Sequence, residues 1–148
     1  MIAGVGVHIK TKDFQKSLTF YEALGFKKTF EIGPNKKIQE DYNMVMFDTG
    51  SGILEIADGL QVVKPEVFKE TVTSPKISLM INTDNMEELL EQCKKADIPL
   101  AVGVRHYYWG NLEFVLKDPD GVILVFITKY TPELAAKLNA DEKYSQHF

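Results

Sequence analysis

The sequence predicts an α+β chain made of two tandem βαβββ units, and three observations carry that expectation. The first is an internal repeat. Asp13, Phe14, Leu18, Phe20, Tyr21, Leu24, Gly25 and Phe26 read as a helix that stops on a glycine and enters a strand; about seventy residues later Asn85, Met86, Leu90, Cys93, Ala96, Asp97 and Ile98 repeat the plan. The second is strand-like alternation before and after each helix, and the third is a set of tight-turn signals between consecutive strands.

Each element follows from its own residues. Residues 4 to 11 alternate, with Val5, Val7 and Ile9 on one side and Gly6, His8 and Lys10 on the other, the period of a half-buried strand. Asp13 is placed to cap a helix whose Phe14, Leu18, Tyr21 and Leu24 form one stripe, and Gly25 is placed to end it. Strands are expected at about 27 to 32, 43 to 48 and 52 to 57, the last two joined by Thr49, Gly50, Ser51 and Gly52. Unit one thus spans about 4–58. Residues 59–75, with Pro65 and Pro75 and a short helix around Pro65 to Glu70, read as a linker.

Unit two, about 76–129, restarts the pattern. A strand is expected at 76 to 82, a helix at 85 to 96, and strands near 100 to 107, 111 to 117 and 121 to 128, with Pro119, Asp120 and Gly121 as the last hairpin turn. The C-terminal tail, 130–148, opens on Thr131, Pro132 and Glu133, a helix start, with Leu134 and Leu138 on one face. Such a tail packs on its own domain or on a partner subunit. His147, next to the terminus, is expected to be mobile. Together the 148 residues are read as a single domain.

Composition removes several function classes. The chain is 45% hydrophobic and 26% charged, with a formal net charge of -4 and no basic stripe, which argues against nucleic-acid binding. No run of about 18 apolar residues or signal-like N-terminus is present, so no membrane role and a cytoplasmic location are expected. The single cysteine, Cys93, allows no internal disulfide, and its helical spacing with Met86, Leu89 and Leu90 places it in the core.

The D-F-x-x-S-L-x-F-Y-x-x-L-G-F helix of unit one and the K-D-P-D-G-V-I-L-V hairpin of unit two resemble the vicinal oxygen chelate superfamily, which includes glyoxalase I, extradiol dioxygenases, fosfomycin resistance enzymes and bleomycin resistance proteins. The resemblance covers roughly residues 4 to 129. It implies a cupped, barrel-like mixed sheet with the helices outside, and in the family's enzymes a divalent metal held by a His, Gln or Glu on the first strand and a Glu on the last strand of each unit. Carried onto this chain, those positions are Gly6 and Glu55 in unit one and Ser78 and Val125 in unit two. Only Glu55 retains a ligand type. His8, two residues beyond Gly6, would join Glu55 if the strand register slipped by two. A catalytic centre needs about three protein ligands, so no metal cofactor is expected, and His8 and Glu55 remain the candidates if one is bound.

Alternation also predicts what lines the cleft, since one face of each strand is apolar and packs under a helix. The opposite face carries His8 and Lys10; Met44 and Met46; Ile53, Glu55 and Ala57; Ser78, Met80 and Asn82; Glu113 and Val115; and Ile123, Val125 and Ile127. The run Arg105, His106, Tyr107, Tyr108, Trp109 is the densest polar and aromatic cluster. Trp109 and Tyr107 fall on one side of it and His106 and Tyr108 on the other, and parity with Val102 and Val104 directs His106 and Tyr108 to the cleft. The ligand-binding candidates are therefore His8, Met46, Glu55, Ser78, Met80, His106, Tyr108, Trp109, Glu113 and Val125.

The resulting expectation is a homodimeric, metal-independent protein of the glyoxalase and bleomycin resistance type that sequesters a small organic molecule. Glu55, Glu113 and the net negative charge point to a neutral or cationic, aromatic ligand. Two alternatives stand beside it: a metal-dependent lyase, isomerase or dioxygenase built around His8 and Glu55, and an interaction module with no ligand.

Overall fold

A computed structural model describes Met1, residues 4–59, Glu66 and residues 77–146. The chain forms two compact units, Met1–Thr73 and Ser74–Phe148. The helix expected around Pro65 to Glu70 and the position of His147 lie outside the described residues, apart from Glu66.

Unit one runs β1 (Val7–Lys10), α1 (Phe14–Ala23), β2 (Lys27–Ile32), β3 (Met44–Asp48) and β4 (Ile53–Ala57). Its strands lie in the order β1-β4-β3-β2, with β1 parallel to β4 and the other pairs antiparallel. Unit two repeats this with β5 (Ser78–Asn82), α2 (Met86–Lys95), β6 (Val102–Tyr107), β7 (Asn111–Lys117) and β8 (Ile123–Lys129), ordered β5-β8-β7-β6. A short helix α3 (Pro132–Lys137) and a 3₁₀ turn (Glu142–Tyr144) follow. The fold is α+β, as expected. Each four-stranded mixed sheet stays open instead of closing into a barrel. Strand β1 is shorter than the sequence pattern suggests: it begins at Val7, leaving Gly6 outside it.

The repeat is visible in individual hydrogen bonds. Asp13 accepts the Lys16 backbone N–H at 3.1 Å and Asn85 accepts that of Glu88 at 3.1 Å, so both helices start on a side-chain cap. Each helix ends alike: the Phe26 N–H reaches the Tyr21 carbonyl at 3.1 Å and the Ile98 N–H that of Cys93 at 2.8 Å, around left-handed residues Gly25 (φ 90°) and Asp97 (φ 56°). Thr11 and Thr83, which follow the first strand of each unit, each donate a backbone N–H to the unit's last strand at 2.9 Å, on Ala57 and Ile127.

Burial follows the predicted faces with one adjustment. On α1 the inward line is Ser17, Tyr21 and Leu24, while Phe14 and Leu18 flank it half-buried. Ser17 sits there because its hydroxyl pairs with that of Thr11 at 2.7 Å, which removes the cost of burying it. Tyr21 packs against Phe26 and Phe47, and in unit two Phe114 stacks on Phe126 at 5.1 Å, under Met86, Leu89 and Cys93 of α2. No helix among the described residues is long and apolar enough to cross a membrane.

Cys93 is 2% exposed, and desolvation pushes its thiol pKa up. Iodoacetamide at pH 8 is therefore expected to label the native protein many-fold more slowly than the urea-unfolded one, read by mass spectrometry. Equal rates would place the thiol at the surface.

Candidate ligand-binding faces

The sheet face away from α1 in unit one carries a row formed by strand register. His8 lies opposite Glu55, Glu55 opposite Met46, and Met46 opposite Phe30. His8 Nε2 stands 3.7 Å from Glu55 Oε1, with the side chains 26% and 19% exposed. The pair forms in the native register, with no slip. The next row, Lys10, Ala57, Met44 and Ile32, includes Met44 and Ala57, both deeply buried, so the accessible part of this face centres on His8, Glu55, Met46 and Phe30.

Unit two presents a more apolar face. Ser78 aligns with Ile123, Met80 with Val125, Val125 with Val115, and Val115 with Val102. Met80 is 74% exposed, and a depression of about 490 Å³ at this end is lined by Pro99, Leu100, Val102, Val115, Lys117 and Ile123. The opposite face carries Leu112, Phe114, Leu116, Leu124 and Phe126, all at most 1% exposed.

Here one expectation is corrected. His106 pairs with Leu112, on the face covered by α2, while Arg105 pairs with Glu113 on the open face. The cause is a register shift between Val102 and Arg105, where Gly103 and Val104 together oppose Phe114. Such a bulge adds one residue to the strand and reverses the parity beyond it. Val102 therefore predicts the wrong side for everything after Val104. His106 stacks on Tyr130 at 3.6 Å and its Nδ1 lies 2.6 Å from Glu142 Oε2, holding the tail to the sheet.

The bulge delivers Arg105, Tyr107 and Trp109 to the open face instead. Tyr107 and Asn111 are paired, so Tyr108, Trp109 and Gly110 form a three-residue hairpin loop, closed by the Gly110 N–H on the Tyr107 carbonyl at 3.0 Å. Gly110 (φ 92°) occupies the left-handed position that this loop requires. The loop folds Trp109 back over Tyr107, the rings stacked at 4.5 Å and 5°, and the indole Nε1 donates to Glu113 Oε1 at 2.8 Å. Trp109 remains 53% exposed, and Tyr108 lies at the tip, edge-on to it.

The tail completes the cluster. Asp141 bridges to β6 through its N–H on the Val104 carbonyl and its carbonyl on the His106 N–H, and the Tyr108 N–H reaches the Tyr144 carbonyl at 3.0 Å. Tyr144 then lies 4.4 Å beneath the Arg105 guanidinium and 5.7 Å from Tyr107. Arg105 Nη1 donates to the Tyr107 hydroxyl at 3.4 Å, an interaction that raises the guanidinium pKa further. Arg105, Tyr107 and Tyr144 are absent from the candidates read off the sequence. A glycine inside a strand pattern, Gly103, is the signal that flags a bulge; nothing local marks Tyr144.

The donor chemistry does not fit the metal of the family's enzymes. The His8 and Glu55 row continues into Met46 and Phe30, while Ser78 and Val125 occupy the unit-two positions. No group of three or more His, Cys, Asp or Glu side chains stands together among the described residues.

Residues 5–126 match the family described as Glyoxalase/Bleomycin resistance protein/Dioxygenase superfamily. The chain belongs to that superfamily. Solved structures of similar fold include a hypothetical protein from S. aureus (20% identity, 86% of this chain and 95% of that one, TM-score 0.64). They also include a bleomycin resistance determinant encoded on transposon Tn5 (21% identity, 88% and 100%, TM-score 0.60). A third is the fosfomycin resistance protein FosX from Mesorhizobium loti (14% identity, 92% and 99%, TM-score 0.61). No curated protein matches the chain. At these identities the glyoxalase-superfamily likeness is one of fold, so the chemistry has to be argued from this chain's own side chains.

Proposed function

We propose that this superfamily member is a metal-independent binding protein that sequesters a small planar organic molecule, acting as a cytoplasmic homodimer. The observation that carries the reading is the Tyr107 and Trp109 ring pair, held by the hairpin loop on the sheet face that also carries Met80, Val115 and Val125. A rigid aromatic surface next to an apolar face offers large contact area at small entropic cost. The likeness in fold to a bleomycin-binding protein solved with bleomycin supports a binding role without naming the ligand.

The neutral or cationic preference expected from Glu55 and Glu113 has weaker support. Glu113 is engaged by the Trp109 indole and Glu55 stands beside His8, so neither carboxylate is left alone to select a cation. The ligand's ring is the part to which this reading commits.

Trp109 is the only tryptophan, so its emission reports on the site directly. Titration with a panel of planar aromatic compounds is expected to give saturable quenching by at least one of them. Trp109→Ala, followed by calorimetry, is expected to weaken that compound about ten-fold, the effect of losing a stacked ring. A panel that leaves both emission and melting temperature unchanged would sink the binding role. Stoichiometric divalent metal in protein purified without chelator, lost in Glu55→Ala, would overturn metal independence in favour of the lyase, isomerase or dioxygenase reading.

A further inference from the structure

We propose that Arg105 makes the open face of unit two a receptor for aromatic anions, specifically planar ring compounds bearing a carboxylate. The inference rests on the binding role above and supplies the charge of the ligand. It reverses the preference that counting acidic residues suggests.

Arg105 is placed as a recognition group and not as half of a structural ion pair. Its cross-strand neighbour Glu113 is the carboxylate that strand pairing offers it, yet Glu113 Oε1 accepts the Trp109 indole N–H at 2.8 Å. Asp141, bridged to Arg105 through the backbone, uses its Oδ1 to accept the Lys143 N–H at 3.0 Å, and its charge acts on the guanidinium only through space. Among the described residues no carboxylate oxygen approaches the guanidinium within the 4.0 Å of an ion pair. What touches it is aromatic: the Tyr144 ring below at 4.4 Å and the Tyr107 hydroxyl at 3.4 Å. A ring face holds a guanidinium in place without neutralising it, and only one of its five N–H donors is assigned to Tyr107.

The cation and the ring platform are contiguous. Tyr107 touches both, through its hydroxyl to Arg105 and its face to Trp109. A planar ligand stacked on the exposed side of Trp109 can direct an acidic substituent toward Arg105, whose planar fork takes a carboxylate through two parallel hydrogen bonds. The tail's backbone bonds to β6 hold Tyr144, so the guanidinium is positioned before any ligand arrives.

Calorimetry with three probes of one ring system tests this: 2-naphthoate, 2-naphthamide and 2-naphthylmethylammonium, at low ionic strength. The expected order is naphthoate tightest, by about ten-fold over the amide, with the ammonium weakest. Arg105→Gln is expected to bring naphthoate down to the level of the amide, and Arg105→Lys to keep part of the preference, since it retains charge but not the fork. Trp109→Phe, which keeps a ring but removes the indole N–H that engages Glu113, is expected to weaken naphthoate more than the amide or the ammonium. Tighter binding of the ammonium, or a naphthoate-to-amide ratio unchanged in both Arg105 variants, would overturn the proposal while leaving the binding role intact. Failure of all three probes to bind would count against both.

Discussion

Replacing Phe47 with alanine is expected to lower the free energy of unfolding by about 3–5 kcal/mol. Phe47 is 0% exposed on β3, tilted against Tyr21 at 6.0 Å and edge-on to Phe26 at 5.9 Å. Tyr21 is itself fully buried on α1, and Phe26 follows the glycine that ends that helix, so the ring of Phe47 joins helix, turn and sheet. Neighbours on an ordered sheet relax little into the space a ring vacates, and the cavity term adds to the lost burial. Phe30 provides the contrast within the same sheet: it is 38% exposed on the other face, and Phe30→Ala is expected to cost well under half as much. Urea unfolding followed by far-ultraviolet circular dichroism is the measurement, because the lone tryptophan lies in unit two. A cost below about 1 kcal/mol for Phe47→Ala would mean that the core of unit one does not centre on this ring.

The framework of both units could be read from the residues because local chemistry sets it. Asp13 and Asn85 accept the capping N–H, Gly25 and Asp97 take the left-handed turn, and the apolar alternation of β7 and β8 yields rows at most 1% exposed. Those signals depend on neighbours a few positions away. The His8 and Glu55 pair is different in origin, since it needs the β1 to β4 register, yet two alternating strands tied by Thr11 to Ala57 leave little choice of alignment.

The open face of unit two resisted the same treatment for a physical reason. Alternation is a parity argument, and a single bulge at Gly103 and Val104 inverts every assignment beyond it, exchanging His106 for Arg105 and Tyr107. A bulge costs little at an edge strand, so composition signals it only weakly. The position of Tyr144 depends on a tail that reaches β6 from more than thirty residues away, through backbone hydrogen bonds that any sequence can make. Tertiary contacts of that kind leave no periodic trace. Counting acidic residues is likewise blind to their partners: Glu113 Oε1 accepts the Trp109 indole N–H, a contact no count reveals.

Asp118→Ala is expected to destabilise the protein by about 3 kcal/mol, and Asp118→Asn by about 1 kcal/mol. Asp118 is 5% exposed where β7 ends, and its Oδ1 accepts two backbone N–H groups, from Asp120 at 2.9 Å and Val122 at 2.8 Å. Its own N–H donates to the Val122 carbonyl at 2.9 Å and its carbonyl accepts the Gly121 N–H at 3.0 Å, so one residue organises the whole turn. Alanine removes the acceptor and leaves both side-chain-bound donors without it, whereas asparagine keeps one oxygen in the same place and gives up the charge and the second acceptor oxygen. The turn also sets the β7 to β8 register that aligns Val115 with Val125 and Glu113 with Ile127 on the open face. Trp109, at the other end of β7, makes its emission the natural reading for urea unfolding of these variants. Equal costs for alanine and asparagine would show that the carboxylate charge, and not the count of accepted hydrogen bonds, carries the turn.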